Sequence, residues 1–382
     1  MKPNKLGRDG KFLFIESALT SFILFMPVTY LLYSSLGLDQ FAIGLTQFIF
    51  AFTMIILEVP TGYFADRFSR KVSNATGDIF LAIAMLVMCF ATGFWHIILS
   101  EVLFGVGLSL TNGADSALLK AHAQKDGVPY DKLAARLQSV GFVTAGLGAI
   151  VGGILGASNL RWPFALQGFV FLVAAGMAFT IRNAGEHRKT NVHPVRDAID
   201  IVRYCMRGHS QLAWRTLLTA SLMASTLLMA WLMTPSFLAA GVDIKFHGIL
   251  FALISVIAIS GSEFVAFNKK MKMTTPFLIS AAAYFVLGWQ LSLATILLFL
   301  LTSFSRGINA ARQRPFVQKV VPEDIQATAI SVQSMVYKVI GSSLMLLVNL
   351  IANFRLQYGL LSAGIICVML WAIFRLNETK YV

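Results

Sequence analysis

The sequence predicts an all-α membrane protein of twelve transmembrane helices in two six-helix halves. Three observations carry that reading: a composition too apolar for water, apolar runs that recur at the length of a bilayer crossing, and one long polar segment that divides the runs six and six. Hydrophobic residues make up 57% of the 382 and charged residues only 13%, with a mean hydropathy of +0.72. A soluble domain carries about 25% charged residues. Lipid is the solvent this chain requires. A helix crosses the hydrocarbon layer with about 20 apolar residues and satisfies its own backbone groups where water is absent.

Taken in order, the apolar runs give spans at 12–36, 42–64, 73–93, 95–118, 137–157 and 162–181, each ended by charged residues or a Gly, Pro or Asn cluster. Six more follow at 211–239, 246–267, 275–290, 291–313, 327–351 and 357–375. The ninth and tenth are separated only by Gly288, Trp289 and Gln290 and are divided by length. The first, preceded by Lys2, Lys5, Arg8 and Lys11, is too long for a secretory signal and lacks a small-residue cleavage site. Residues 182–210 form the longest polar segment. Val195, Ile199, Val202 and Met206 there share one helical stripe, which suggests a surface amphipathic helix. The predicted domains are therefore 1–181, the linker 182–210, and 211–382.

Charge sets the orientation. Lys and Arg in short loops are retained on the cytoplasmic side. With both termini inside, all but five of the 31 Lys and Arg fall in or beside cytoplasmic segments. Arg161, Lys245 and Arg355 fall outside, and Arg306 and Lys338 lie within spans, Arg306 the shallower. A basic rim facing anionic lipid accounts for the net charge of +13 without a nucleic-acid partner. Cys89, Cys205 and Cys367 are an odd, scattered set, and the six His are dispersed. No disulfide framework, metal site or cofactor is expected.

Between the second and third spans lies Gly62-Tyr63-Phe64-Ala65-Asp66-Arg67-Phe68-Ser69-Arg70-Lys71. It resembles the signature loop of the major facilitator superfamily: Gly, three residues, Asp-Arg, one residue, Gly-Arg-Lys/Arg, with Ser69 standing for the second Gly. Glu58-Val59-Pro60-Thr61-Gly62 and the stretch around Asn112, Gly113 and Asp115 are similar to a bacterial branch of that superfamily. The resemblance implies two parallel six-helix repeats around a midplane cavity, alternately open to each side. It also implies a gate in which Asp66 docks on the start of the eleventh helix, near 325–328, and Arg70 pairs with Asp115. Gly62, Arg67 and Lys71 complete that latch. Ser69 raises the question of whether the loop needs a positive φ, which Ser adopts poorly. The second half keeps only Phe267-Asn268-Lys269-Lys270-Met271-Lys272, without the Asp-Arg pair. Gly141, Gly146, Gly148, Gly152, Gly153 and Gly156 resemble an antiporter motif without its Gly-Pro step, so close packing is the better reading.

Charges within spans cost about 2.5–3.5 kcal/mol on insertion scales, so each needs a partner, a wet cavity or a role. Glu58, Asp78, Asp115 and Glu263 lie near cytoplasmic ends, where reaching water and pairing in the latch explain them. Lys338 stands near mid-membrane beside Gln333, Ser334 and Tyr337; it is either a substrate contact or the partner of Glu16 or Glu101. Arg306, beside Asn309, is a second cationic candidate. Tyr30, Gln47, Asn112 and Trp231 are neutral candidates. Desolvation disfavours a charged carboxylate, which makes Glu16 and Glu101 the candidate proton carriers.

The expected function is secondary active transport of a small organic solute across a bacterial inner membrane by a monomer, driven by protons. Export of drugs or metabolites is favoured. The Lys338 and Arg306 pair supports instead a carboxylate-bearing cargo such as a siderophore, in the uptake direction. A receptor or sensor would need a larger cytoplasmic domain than 182–210 supplies. No phosphate-binding Gly-Lys-Ser/Thr loop and no catalytic constellation is present, which argues against an ATP-driven pump and an enzyme.

Overall fold

The computed structural model describes residues 6–67, 69–182, 203, 210–268, 271–318 and 326–381, and within them the chain is helical, with no strand. The helices are α1 (Arg8–Thr20), α2 (Met26–Ser35), α3 (Gln40–Arg67), α4 (Arg70–Cys89), α5 (Phe94–Thr111), α6 (Ala114–Lys125), α7 (Tyr130–Ser158) and α8 (Trp162–Thr180). Then come α9 (Ser210–Ala239), α10 (Ile244–Phe267), α11 (Thr275–Trp289), α12 (Phe299–Gln318), α13 (Gln326–Phe354) and α14 (Leu356–Tyr381). Nine stretches among the described residues are long and apolar enough to cross a bilayer unaided, α5 and α6 counting as one. The 15-residue α11 is a tenth crossing. Two more are built from paired pieces: α1 with α2, and a 3-10 turn at Thr295–Leu298 with α12. The total is the predicted twelve.

The break in the first crossing was not predicted, and its cause is local. Pro27 lies in the first turn of α2, where its missing N–H is harmless; further inside a helix its ring would strike the carbonyl four residues back. The interruption leaves the Leu24 N–H without a helical acceptor, and Gln167 of α8 takes it at 2.8 Å in a buried bond. The fourth crossing also bends. Gly113, at φ +82°, separates α5 from α6 in the left-handed region that favours glycine. The division of the ninth and tenth crossings falls within one residue of the expected 290, the helix ending at Trp289. Ser292 and Thr295 then cap the new turn, Ser292 N–H to Thr295 Oγ1 at 2.8 Å and Thr295 N–H to Ser292 Oγ at 3.3 Å.

By compactness the chain forms two units. The first comprises Met1–Leu36, Thr53–Pro194 and Ile244–Ala252; the second comprises Gly37–Phe52, Val195–Asp243 and Leu253–Val382. In the first, α4 meets α5 backbone to backbone: a Cβ on Gly77 would stand 2.8 Å from the Gly107 oxygen, and one on Gly107 equally close to the Gly77 oxygen. Ser73 and Ser100 tie the same pair by donating to the Leu110 and Ala84 carbonyls, each at 2.7 Å. Close approach through small residues maximises dispersion where lipid gives no hydrophobic drive. The glycines of α7 work the same way. Gly152 faces the Leu24 carbonyl at the break, and Gly153 faces Gly248 at the start of α10.

In the second unit, Gly307 of α12 lies against the Ala258 carbonyl and Gly261 of α10 against the Phe304 carbonyl. Ser303 donates to the Ile254 carbonyl at 2.6 Å, and Asn309 Nδ2 to the Leu222 carbonyl at 3.3 Å. Large apolar side chains such as Phe169, Val256, Ile154 and Met369 are more than half exposed, as expected for faces that meet lipid.

Candidate functional site

The first unit holds a cavity of 470 Å³ beside the break in the first crossing, within the range of about 300–1,000 Å³ typical of small-molecule sites. Its wall comes from the end of α1 (Ser17, Thr20), the break (Ser21, Ile23), the start of α6 (Asp115, Ser116) and the first half of α7 (Tyr130, Gln138, Phe142). The break supplies this lining, since a continuous helix would carry the chain past it. Lys120 sits over the Tyr130 ring at 5.9 Å.

Next to the cavity lies a buried acidic group. Glu16 and Asp78 are 2% and 0% exposed, and their carboxyls stand within hydrogen-bonding reach of each other. Asn74, one turn before Asp78, donates its Nδ2 to Glu16 Oε1 at 3.2 Å. Asp115 acts electrostatically on both acids. The expectation that Asp78 reaches water is therefore corrected: it is enclosed between helices, facing another acid. Asp115 accepts the Ser116 N–H at 2.5 Å, in the first turn of α6, where a carboxylate meets the positive end of the helix dipole. Glu101 is placed differently. It is 7% exposed and accepts the hydroxyl hydrogen of the buried Tyr33, a partner that sequence reasoning had not singled out.

Of the predicted latch, Arg70 is exposed at the start of α4, with Lys71 beside it. A Cβ on Gly62 would meet nothing within 4 Å among the described residues. The side chains of Asp66 and Arg67, and residues 319–325 together with the side chains of 326–331, lie outside what the structure describes, as does all of the linker 182–210 except Arg182, Arg203 and Ser210. Ser69 has φ 176° and ψ 135°. That is extended backbone any residue adopts, so the departure from Gly is harmless here.

The second unit gathers other polar groups. Gln40, at the start of α3, gives Nε2 to Asn349 Oδ1 at 2.5 Å and to the Trp231 carbonyl at 3.2 Å. Asn353, one turn beyond Asn349, gives Nδ2 to Asp39 Oδ2 at 3.2 Å. Asn349 also caps back onto the Met345 carbonyl at 2.8 Å. Gln47 is buried at 8% exposure and Lys338 at 9%. Arg306 of α12 and Tyr337 of α13 lie close enough to act on each other electrostatically, and Lys338 follows Tyr337 in the chain. Tyr30 lies in the first unit, half-buried. Sequence reasoning missed Gln40, Asn349 and Asn353, although Asn349 and Asn353 share one face in the apolar last third of α13.

Residues 12–346 match the family model of the Major Facilitator Superfamily. The chain belongs to the major facilitator superfamily. An MFS-type transporter of Bacillus subtilis (strain 168), YxaM, is 26% identical to this superfamily member over 150 residues, 39% of this chain and 37% of that protein. Multidrug resistance protein 1 of the same organism is 24% identical over 182 residues, 44% of this chain and 43% of that protein. The chain thus spans about two fifths of the length of these curated relatives. Among solved structures, the nucleoside transporter NupG superposes with a TM-score of 0.80 at 14% identity, covering 97% of this chain and 99% of that one. A D-xylose-proton symporter superposes with a TM-score of 0.73 at 13% identity, covering 96% of each. These likenesses establish the fold: a multi-pass, twelve-helix superfamily member.

Proposed function

We propose that the protein is a secondary transporter that moves a small organic solute across the bacterial inner membrane by alternating access, driven by the proton gradient, with export of a drug or metabolite as its direction. The observation that carries this reading is the 470 Å³ cavity bordered by Asp115 and adjoining the buried Glu16 and Asp78. It puts a solute-sized space next to groups able to take up and release protons. Membership of the superfamily supports the transport class, and the partial match to a multidrug resistance protein supports export. The distribution of Lys and Arg supports a cytoplasmic position for both termini, and the protein acts as a monomer. Gly62, Asp66, Arg67, Arg70 and Lys71 form the inner latch, in which Asp115 of α6 is the acid assigned to Arg70.

A second reading has an observation of its own. Arg306 beside Tyr337, with Lys338 buried next along α13, would hold an anionic cargo such as a carboxylate-bearing siderophore, moved inward. Trp231 and Gln47 would add neutral contacts. In that case Lys338→Ala abolishes stabilisation by carboxylates in a thermal-shift screen while leaving the protein folded; unchanged stabilisation removes Lys338 from the site.

The decisive experiment reconstitutes the protein in proteoliposomes after a thermal-shift screen of drugs, carboxylates and metal chelates. Compounds that stabilise the protein should move only when a pH gradient is imposed. Binding without gradient-dependent movement overturns proton coupling.

A further inference from the structure

Four buried oxygens in the first unit meet no donor: Glu16 Oε2, Asn74 Oδ1 and both Asp78 oxygens. They converge, because Asn74 and Asp78 lie one turn apart on α4, Asn74 bonds to Glu16, and the Glu16 and Asp78 carboxyls stand within hydrogen-bonding reach. The Asn74 amide and the Ser17 side chain bond to Glu16 but not to Asp78, so the two facing carboxylates, both more than nine-tenths buried, repel; one hydrogen placed between them turns repulsion into a hydrogen bond.

The charged groups on the surrounding elements do not supply that bond. On α1 the others are Arg8, Asp9 and Lys11, in its first turn; on α4, Arg70 is exposed and, with Lys71, sits at the helix start, about two turns from Asp78. On α6, Lys120 covers the Tyr130 ring, His122 bonds to the Arg182 carbonyl and Lys125 is exposed, leaving Asp115 facing the pair with a third negative charge. On α7, Asp131, Lys132 and Arg136 lie in the first two turns, Lys132 and Arg136 exposed. On α5, His96 meets Thr92 and Glu101 is held by Tyr33. Helix α8 carries no charged residue.

We propose that Glu16 and Asp78 together form the proton-binding site, sharing one proton, with Asn74 as the positioning residue and Asp115 as the link to the cavity. Asp115 both lines the cavity and acts on the pair. The proton enters from the cavity by way of the Asp115 carboxylate, bonds to an Asp78 oxygen and is accepted by Glu16 Oε2; on release it leaves by the same route and the pair returns to two carboxylates. This deepens the proton-coupled reading, on which it rests, and assigns the coupling proton to the pair and not to Glu101.

The test needs no transported solute, so its failure is distinct from failure of the flux experiment. Infrared difference spectra of the purified full chain, titrated with acid and base, should contain a carboxylic-acid C=O band at neutral pH that shifts in D₂O. Glu16→Gln and Asp78→Asn, both near-isosteric, should each remove that band, whereas Glu101→Gln should leave it. Should either amide variant fail to fold, the exchange variants Glu16→Asp and Asp78→Glu take its place and should shift the band's midpoint. A band that survives both amide substitutions, is lost in Glu101→Gln, or is displaced by sodium chloride at constant pH overturns the assignment, the last in favour of a sodium ion on the same oxygens.

Discussion

Gln167 supports the break in the first crossing through one bond, from the Leu24 N–H to its Oε1 at 2.8 Å, and is itself 0% exposed. Gln167→Leu keeps the volume and strands a buried N–H, so it should destabilise the protein by about 1–3 kcal/mol. Thermal unfolding in detergent measures this directly; an unchanged midpoint would mean that the N–H has another acceptor. Gly152 offers a comparable contrast. Any Cβ there strikes the Leu24 carbonyl, and overpacking of this kind costs about 1–3 kcal/mol. Gly62→Ala meets nothing among the described residues and should stay within about 0.5 kcal/mol in the same unfolding measurement. At this scale the sequence was informative about which polar residues lie in spans and uninformative about their partners. Glu16 was legible as a buried acid, but its pairing with Asp78 needs the lateral packing of α1 on α4. No spacing along the chain encodes that.

At the scale of elements, the crossings were legible because a bilayer fixes their length, and the division at Gly288–Gln290 was recovered from length and that one weak marker. The break between α1 and α2 was not, because the run 12–36 is apolar throughout and its one cue, Pro27, is also tolerated within transmembrane helices. A glutamine from a helix more than a hundred residues away completes the reason. The polar clasp in the second unit is a second element-level feature. Gln40 and Asn349 should show a coupling energy of about 0.5–3 kcal/mol in a double-mutant cycle of Gln40→Ala and Asn349→Ala followed by unfolding, as for other contacting pairs. Strict additivity would show that the two amides do not hold the start of α3 to α13. In the proposed latch neither Gly62 nor Ser69 demands special backbone geometry. On the proposed reading the latch acts through its charges, so Asp66→Asn should slow turnover in proteoliposomes while leaving binding of a stabilising compound unchanged.

For the whole molecule, composition and charge placement carried nearly all of the fold class, since the cost of exposing backbone to lipid leaves so few alternatives. Cargo was not legible in the same way: a solute is recognised by a few polar atoms whose positions depend on packing, and Lys338, Arg306 and Asp115 acquire meaning only from what surrounds them. The account stands on an even number of crossings with the Gly62–Lys71 hairpin on the cytoplasmic face. The most direct measurement introduces one cysteine at Arg70 and, separately, one at Ser158, each in a background lacking Cys89, Cys205 and Cys367, and labels them with a membrane-impermeant thiol reagent in intact cells and in inverted vesicles. The account predicts labelling of position 70 only in inverted vesicles and of position 158 only in intact cells. Labelling of both from the same side, or of position 70 from outside, would contradict it.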